Sequence, residues 1–384
     1  MESIYLDYNA TSPIHPEVRE KIRPYLDESF GNASSLHALG RKARVGIEEA
    51  RALILKRLGD PKGELVFTSG GTEAGNLALR GVMESSRAKG NHLIISSVEH
   101  SAVLNPAQAL QRDGFEVTFL PVDGTGRVDP EEVRRAITPK TVLVSVMQAN
   151  NEVGTIQPVE AIGAITRERG VLFHTDAVQS FGKIPVNMAQ LPADLVSLSA
   201  HKLGGLKGTG ALYLRRGLKI RPQITGGPHE HNMRAGTENV VGIVAMGEAV
   251  RISLDELENG GMARIGKLRD RLQQGLLAAV KDSVLNGDPV RRVPGTLHLS
   301  FLGCEGESLL MALDLAKICV STGSACSAGS MQPSHVLKAM GFQKERLQGA
   351  IRFSLGWSST EEQVGEALRR IPPVIDQMRT AVRN

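Results

Sequence analysis

The stretch TVLVSVMQANNEVGTIQPVEAIGAITRERGVLFHTDAV (residues 141–178) contains two short apolar runs separated by an amphipathic segment of about helix length. The same alternation repeats from about residue 64 to residue 214. Such alternation is typical of a mostly parallel sheet that is covered by helices on both faces. The other apolar runs are ELVFTS (64–69), HLIISS (92–97), FEVTFLPV (115–122), DLVSLS (194–199) and ALYLRR (211–216). The sequence therefore predicts an α/β fold.

A second α/β unit follows the first along the chain. Helical patterns cover the region from about 236 to 280, and further strand and helix signals alternate from about 295 to 380. We expect residues 15–255 to form a large domain. Residues 1–14 and 256–384 are expected to form a smaller domain, which carries a mobile loop at about 321–333.

Composition and charge exclude several classes of protein. The 384 residues include 45 basic and 41 acidic side chains in mixed-sign segments, and long basic runs with interleaved aromatics are absent, so nucleic-acid binding is not predicted. No segment approaches the roughly 20 uninterrupted apolar residues that span a bilayer, and the N-terminus lacks the pattern of a secretion signal. Three cysteines, Cys304, Cys319 and Cys326, suit a reducing compartment. We expect a cytoplasmic enzyme without a membrane anchor.

Charged side chains follow two of the apolar runs, at the edge where ligands gather in open α/β sheets. Lys202 follows the run at 194–199; a strand-end lysine is usually a solvated cap, but a buried one near other cations can form a Schiff base with a carbonyl. Asp176 ends an earlier apolar run, and taken by itself it is most simply interpreted as a helix N-cap. Paired with Lys202, it is the carboxylate expected to keep the ring nitrogen of pyridoxal phosphate protonated, and Gln179 could hydrogen-bond the phenolic oxygen of that ring.

Three further strand ends carry polar residues. In VFTSGGTEAGN (66–76), two glycines precede a helix opened by Thr72, an arrangement that binds phosphate, although glycine turns into helices are common. His100 could stack on a cofactor ring or move protons, and Asn151 could contact the ring or the substrate. Each of these residues alone is more often structural.

Two residues near the C-terminus have a chemical interpretation. Cys326 lies in STGSACSAGS (321–330), whose composition predicts an exposed loop, and an exposed thiol near cations can become a nucleophile. Cys304 and Cys319 have apolar surroundings typical of inert thiols. Arg352 lies within an apolar strand, where it forms either a buried salt bridge or a clamp for a substrate carboxylate.

A metal or cluster site is the alternative from another class of protein. His229 and His231 flank Glu230, and cysteines such as the three in this chain are common iron ligands. However, the chain has no CxxC pair and no helical HExxH motif, so no metal site is predicted.

Taken together, the motifs resemble the cysteine desulfurases of the NifS/IscS type, which are pyridoxal-phosphate enzymes of fold type I in the class-V aminotransferase superfamily. The likeness runs almost from end to end and keeps the order of the motifs. Its blocks include YLDYNATSP (5–13), TSGGTEAGNLAL (68–79), VMQANNEVGT (146–155), HTDAVQSFGK (174–183), SLSAHKLGGLKG (197–208), RAGTENV (234–240) and STGSACSAGS (321–330). The chain departs from the family pattern at Leu206, His231, Asn232 and Gln348, which leaves the local loop shape open.

The resemblance implies a role for each candidate residue. Lys202 would hold pyridoxal phosphate, Asp176 its ring nitrogen and Gln179 its phenolic oxygen, with His100 stacked on the ring. The phosphate would be bound by Thr72, Ser199 and His201, joined by Thr237 from the neighbouring subunit of a homodimer. Asn151 and Arg352 would bind the carboxylate of L-cysteine, and Cys326 would accept the sulfur.

The implied reaction converts L-cysteine to L-alanine and leaves a persulfide on Cys326, for delivery to an iron–sulfur scaffold or another sulfur-acceptor protein. A different reaction on the same scaffold, such as transamination or selenocysteine lysis, stays open as the alternative.

Overall fold

The fold is that of a computed structural model, which describes residues 2–323 and 333–383 of the chain. Its helices are α1 (Pro16–Asp27), α2 (Ala38–Arg57), α3 (Gly71–Ser85), α4 (Ser101–Arg112), α5 (Pro130–Ala136), α6 (Val159–Glu168), α7 (Val240–Glu258), α8 (Gly261–Ala279), α9 (Gly306–Leu315), α10 (His335–Ala339), α11 (Lys344–Gln348) and α12 (Glu361–Arg383). Its strands are β1 (Ile4–Tyr5), β2 (Glu64–Thr68), β3 (His92–Ser96), β4 (Glu116–Leu120), β5 (Thr141–Ser145), β6 (Leu172–Asp176), β7 (Leu195–Ser199), β8 (Gly210–Leu214), β9 (Ser283–Leu285), β10 (Thr296–Phe301), β11 (Ile318–Cys319) and β12 (Ala350–Ser354). No helix among these residues combines the length and apolar character needed to cross a membrane.

Within the described residues, seven strands form the main sheet in the order β2-β8-β7-β6-β5-β3-β4. Strand β8 runs antiparallel to both of its neighbours, whereas the other adjacent pairs are parallel. Each of the seven apolar runs in the sequence forms one of these strands. The predicted α/β fold with a mostly parallel sheet is confirmed.

Apolar packing on both faces of this sheet explains why the strands read as continuous apolar runs. Alternate residues of β3 illustrate it, because Ile94 packs into one buried cluster while Leu93 and Ile95 pack into another. Helices α2 and α7 contribute to the first cluster, and α3 and α4 contribute to the second. A sheet covered on both faces leaves its strand ends as the accessible edge, so the polar residues after β5, β6 and β7 lie together.

The remaining strands form two smaller sheets. Strands β12, β10 and β9 are antiparallel, and β1 pairs in parallel with β11. A third buried cluster joins the sheet of β10 and β12 to helices α8, α9 and α12, and it includes Ile4 and Leu6 from the N-terminal segment. The predicted domain limits stay a prediction; the proposed boundary at 255 falls within the last turn of α7.

A left-handed turn occupies positions where the chain departs from the family pattern. Glu230, His231 and Asn232 have φ angles of 45°, 57° and 64°, a region that asparagine tolerates better than most residues. The Glu230 carboxylate accepts two hydrogen bonds from Arg51, both at 2.9 Å, and one from the Phe67 amide at 2.8 Å. The turn is therefore held by a buried ion pair to α2 and a bond to β2.

Candidate active site

A cavity of about 330 Å³ opens at the carboxyl edge of the main sheet. It is bounded by residues that follow β2, β3, β5, β6 and β7, by the N-terminal segment and by Arg352 of β12. The predicted site residues that line it are Thr72, His100, Asn151, Asp176, Gln179, Ser199, His201, Lys202 and Arg352. Thr237 does not line this cavity, and Cys326 lies outside the described residues.

Lys202 and Asp176 line the same cavity. The Lys202 ammonium donates to the backbone carbonyls of Asn9 and Ala10, the latter at 2.7 Å. Asp176 is buried at the end of β6, and its carboxylate accepts the Val178 amide at 2.9 Å. Burial raises the pKa of Asp176 to about 6, opposed by that hydrogen bond and by the charge of Lys202. An amine and a carboxylate thus face one ligand-sized space.

His100 caps the N-terminus of α4, where its Nδ1 accepts the Ala102 amide at 3.0 Å. Burial, together with the neighbouring charges of Lys202, His335 and Arg352, lowers the pKa of His100 to about 4. The imidazole is therefore neutral near pH 7. Because Nδ1 accepts a hydrogen bond, we assign its proton to Nε2.

Arg352 and Asn151 form one end of the cavity. Arg352 is only 2% exposed; its Nη2 pairs with Asp7 at 2.9 Å, and its Nη1 donates to the Asn151 carbonyl at 3.0 Å. Among the described residues, neither Arg352 Nε nor Asn151 Oδ1 has a hydrogen-bond partner, although both atoms are buried. The sequence left a salt bridge and a carboxylate clamp as alternatives, and the geometry allows both.

The other end of the cavity has the character of an anion site. Helix α3 begins after Gly70 with no side chain capping its first amides, and Thr72 is exposed in its first turn. Ser199 Oγ is buried and has no partner in the described part of the chain. A Cβ at Gly71 would lie 2.9 Å from Val178 Cγ2, so the turn passes too close for any larger residue. Free amides at a helix N-terminus, with hydroxyl donors beside them, favour a phosphate group.

His201 adds a neutral imidazole to this end. Its Nδ1 lies 3.1 Å from the Thr11 hydroxyl. Burial lowers the pKa of His201 to about 4, and the charges of Lys202 and Lys207 act in the same direction. The ring can therefore donate one hydrogen bond to an anion without adding a charge.

Sequence reasoning missed two residues that bond Gln179: Asn9, which lines the cavity, and Lys183, which does not. The Asn9 carbonyl accepts from Gln179 Nε2 at 2.9 Å, and its Nδ2 donates to Thr296 and to the Asn151 carbonyl. Lys183 donates to Gln179 Oε1 at 2.6 Å. The four-residue spacing from Gln179 to Lys183 was the available signal for Lys183, whereas no local pattern marks Asn9.

Glu99 is a fully buried acid behind His100. Its Oε1 accepts the Ser96 hydroxyl at 2.5 Å and the Met147 amide at 2.8 Å, while its Oε2 has no partner within the described ranges. Burial raises the pKa of Glu99 to about 8, and the charge of Asp176 contributes in the same direction. Glu99 is therefore protonated near pH 7.

Replacing Glu99 with glutamine is expected to stabilise the protein at alkaline pH. The pKa of Glu99 is about 8 in the folded protein against an ordinary value of 4.5, so between these two pH values the folded state binds a proton that the unfolded state has lost. Stability contributed by that proton is lost as the pH rises toward 8. The gain in unfolding free energy of Glu99→Gln over wild type, measured with urea, should therefore grow between about pH 4.5 and about pH 8.

The matched control is Glu116→Gln, at a surface carboxyl whose pKa is lowered by its hydrogen bond to Lys140. This variant should show no such gain. If the difference in unfolding free energy between Glu99→Gln and wild type stays constant from about pH 4.5 to about pH 8, Glu99 is not protonated in the folded protein.

The described cysteines and histidines do not assemble into a metal site. Burial raises the pKa of the Cys304 and Cys319 thiols, and acidic neighbours raise that of Cys319 further. Both thiols are therefore poor nucleophiles near neutral pH. Over residues 2–323 and 333–383, no group of three or more histidine, cysteine or acidic side chains is arranged to hold a metal ion.

Comparison with known proteins gives the family. The aminotransferase class-V model matches residues 4–367. A cysteine desulfurase IscS of Dictyoglomus turgidum is 48% identical over 98% of this chain and 95% of its own length. The chain belongs to the class-V aminotransferases, among the cysteine desulfurases. A second cysteine desulfurase IscS, of Methanosarcina thermophila, is 46% identical over 98% of this chain and 93% of its own length.

The solved structures agree with this family. A structure titled NifS-like protein superimposes with a TM-score of 0.92 at 38% identity, over 98% of this desulfurase chain and 100% of the other. The resemblance inferred from the motifs is confirmed over nearly the whole chain.

Proposed function

We propose that this enzyme binds pyridoxal phosphate in the 330 Å³ cavity, converts L-cysteine to L-alanine, and receives the sulfur on Cys326 as a persulfide. The observation that carries the proposal is the convergence on one cavity of Lys202, the buried Asp176 and the buried Arg352. The first two groups suit the cofactor, and the third suits an amino-acid carboxylate.

The residues present fit the cofactor. The uncapped N-terminus of α3 and the unpartnered Ser199 hydroxyl suit the phosphate, together with Thr72 and His201. Asp176 suits the ring nitrogen, Gln179 the phenolic oxygen and His100 the ring face. When bound, pyridoxal phosphate supplies a carbonyl carbon for an amine and an electron-withdrawing ring that weakens the bonds at the substrate Cα.

Asp176 and His100 divide the proton chemistry. A carboxylate whose pKa is raised to about 6 by burial ionises fully when a cationic ring nitrogen approaches, because an opposite charge lowers the pKa. Asp176 then keeps that nitrogen protonated. His100 stays neutral, with a pKa lowered to about 4; because its Nδ1 accepts the Ala102 amide, its Nε2–H is the group that can donate a hydrogen bond to a ligand in the cavity.

Arg352 and Asn151 orient the substrate. Both terminal nitrogens of Arg352 are already bonded, to Asp7 and to the Asn151 carbonyl. A guanidinium group has five N–H donors, so donors of Arg352 remain beside these two bonds for the L-cysteine carboxylate. The Asn151 amide supplies a second donor if its Nδ2 turns into the position of the unpartnered Oδ1.

The reaction itself tests the proposal. Protein reconstituted with pyridoxal phosphate should show a visible absorbance band and, with L-cysteine and a thiol reductant, should release alanine and sulfide in equal amounts. The competing reactions predict transfer of the amino group to a keto acid, or turnover of selenocysteine with little turnover of cysteine. Protein that carries stoichiometric iron or zinc and no pyridoxal phosphate would contradict the proposal.

We also propose a homodimer in which Thr237 completes the phosphate site of the partner subunit. Phe30, Leu36 and Val45 are 71%, 89% and 54% exposed, an unusual set of apolar side chains for a free surface. Arg44 bonds both the Ala33 carbonyl and the Glu238 carboxylate, which places this apolar surface beside Thr237. A second copy of the chain would cover the surface and bring its Thr237 to the cavity.

Mixed dimers test this arrangement. The variants Lys202→Ala and Thr237→Glu are each expected to be inactive, because one lacks the amine and the other repels a phosphate. A dimer of one subunit of each kind contains one site with both defects and one site with neither. Co-expression should therefore restore activity, up to one working site per dimer. Activity no higher than that of the separate variants would place Thr237 in its own subunit's site or in none.

The predicted location and recipient complete the proposal. We propose a cytoplasmic enzyme that passes its persulfide sulfur to an iron–sulfur scaffold or another sulfur-acceptor protein. Co-purification of the persulfide form with such an acceptor identifies the recipient directly.

A further inference from the structure

Lys183 is a half-buried cation that the mechanism above does not use, and it lines a neighbouring cavity together with Asn9 and Lys202. It follows Gln179 by four residues in the turn after β6, and its Nζ donates to Gln179 Oε1 at 2.6 Å. A longer contact of 3.4 Å joins the same nitrogen to Asn9 Oδ1. Burial, together with the charges of Lys202 and Arg352, lowers the pKa of Lys183 to about 7. Placing a third cation here costs free energy, so its position requires a reason.

The contact determines which way the Gln179 amide faces. Gln179 is 4% exposed; its oxygen is used by Lys183 and one Nε2 hydrogen is used by the Asn9 carbonyl at 2.9 Å. An amide nitrogen has two hydrogens, so one N–H remains, and Gln179 lines the cavity. Without Lys183, the buried Oε1 would lose its donor, and the amide would rotate toward another one.

We propose that Lys183 is a positioning residue that fixes the Gln179 amide so that its second N–H points at the ring oxygen of pyridoxal phosphate, a role that rests on the proposed function. Lys183 itself does not touch the cofactor. It acts through Gln179, and Asn9 completes the three-residue unit by accepting from Gln179 and by bonding the Asn151 carbonyl at the substrate end. The strength and electronic environment of cofactor binding therefore depend on Lys183.

The test compares Lys183→Met, Lys183→Arg and wild type as reconstituted holoenzymes. Lys183→Met removes the donor at similar length, and Lys183→Arg keeps a cationic donor. The dissociation constant of pyridoxal phosphate and the maximum of its visible absorbance band are measured for each protein. Loss of one hydrogen bond is expected to weaken binding by about fivefold to tenfold in Lys183→Met and to shift the band. Lys183→Arg should recover much of both effects.

Two controls separate this role from general structure and charge. Lys207→Met removes an exposed cation whose charge also lowers the pKa of His201. This variant should leave the absorbance band unshifted. In a Gln179→Ala background, Lys183→Met should have no further effect on either measurement, because the group through which it acts is absent. A full additional loss in that background would overturn the inference.

The outcomes also separate this inference from the proposed function. If wild type binds no pyridoxal phosphate, the proposed function fails and this inference fails with it. If wild type binds the cofactor with a visible band and folded Lys183→Met has the same dissociation constant and band, only the positioning role is overturned.

Discussion

Replacing Cys326 with serine is expected to leave the visible absorbance of bound pyridoxal phosphate unchanged and to reduce sulfide release from L-cysteine by at least about a hundredfold. A serine hydroxyl is a far weaker nucleophile than a thiolate near neutral pH, so the substrate sulfur has no acceptor. The cofactor site is built from other residues and should keep its affinity. Absorbance spectra and a sulfide assay on the same preparation measure both parts of the prediction.

Cys304→Ser and Cys319→Ser are the matched controls for this variant. Burial raises the pKa of both thiols, so neither is suited to attack sulfur. Each control should retain nearly full activity. Undiminished sulfide release by Cys326→Ser, or loss of activity in Cys304→Ser or Cys319→Ser without loss of folding, would assign the sulfur to a different residue.

Replacing Lys202 with alanine is expected to abolish both the visible band and the turnover of L-cysteine, with a loss of at least about a thousandfold. Lys202 is the residue that we propose supplies the amine for the cofactor's carbonyl carbon. Its ammonium also satisfies the Ala10 carbonyl, and that bond is lost as well. Absorbance after reconstitution and alanine formation measure the effect.

Lys207→Ala is the matched control, since Lys207 lies five residues further along and is exposed. It should keep the band and the activity. A Lys202→Ala protein that still turns over L-cysteine with a visible band would show that another amine holds the cofactor.

The main sheet could be predicted because six of its seven strands are almost entirely buried, with only the edge strand β4 partly exposed. A buried strand such as β5, TVLVS, appears in the sequence as a short run rich in apolar residues, and the neighbouring strands show the same pattern. The two-residue strand β1 and the three-residue strand β9 were not predicted. Strands this short have no periodicity, and they form only because distant parts of the chain pair with them.

The candidate site could be predicted where its residues follow strands. Asp176 ends β6 and Lys202 follows β7, so the rule that ligands gather at strand ends located both. Asn9 could not be located in this way, because the N-terminal segment reaches the cavity through tertiary packing. Its contact with Lys202 is made by a backbone carbonyl, which every residue has, so the residue type gives no signal.

Arg352 shows a different limit of sequence reasoning. A charge in an apolar strand predicts a partner, but it does not say whether that partner is a protein side chain or a substrate. The structure gives Asp7 as one partner and leaves Nε without one in the described part of the chain. Only the three-dimensional arrangement identifies Asp7 as the protein partner, and the carboxylate clamp stays a prediction.

The most direct measurement of the central claim is peptide mass spectrometry of the holoenzyme after reaction with L-cysteine in the absence of reductant. The account predicts one additional sulfur atom on the peptide that contains Cys326, formed together with an equal amount of alanine. Additional sulfur on the peptides of Cys304 or Cys319, or alanine formed with no sulfur bound to the protein, would contradict it.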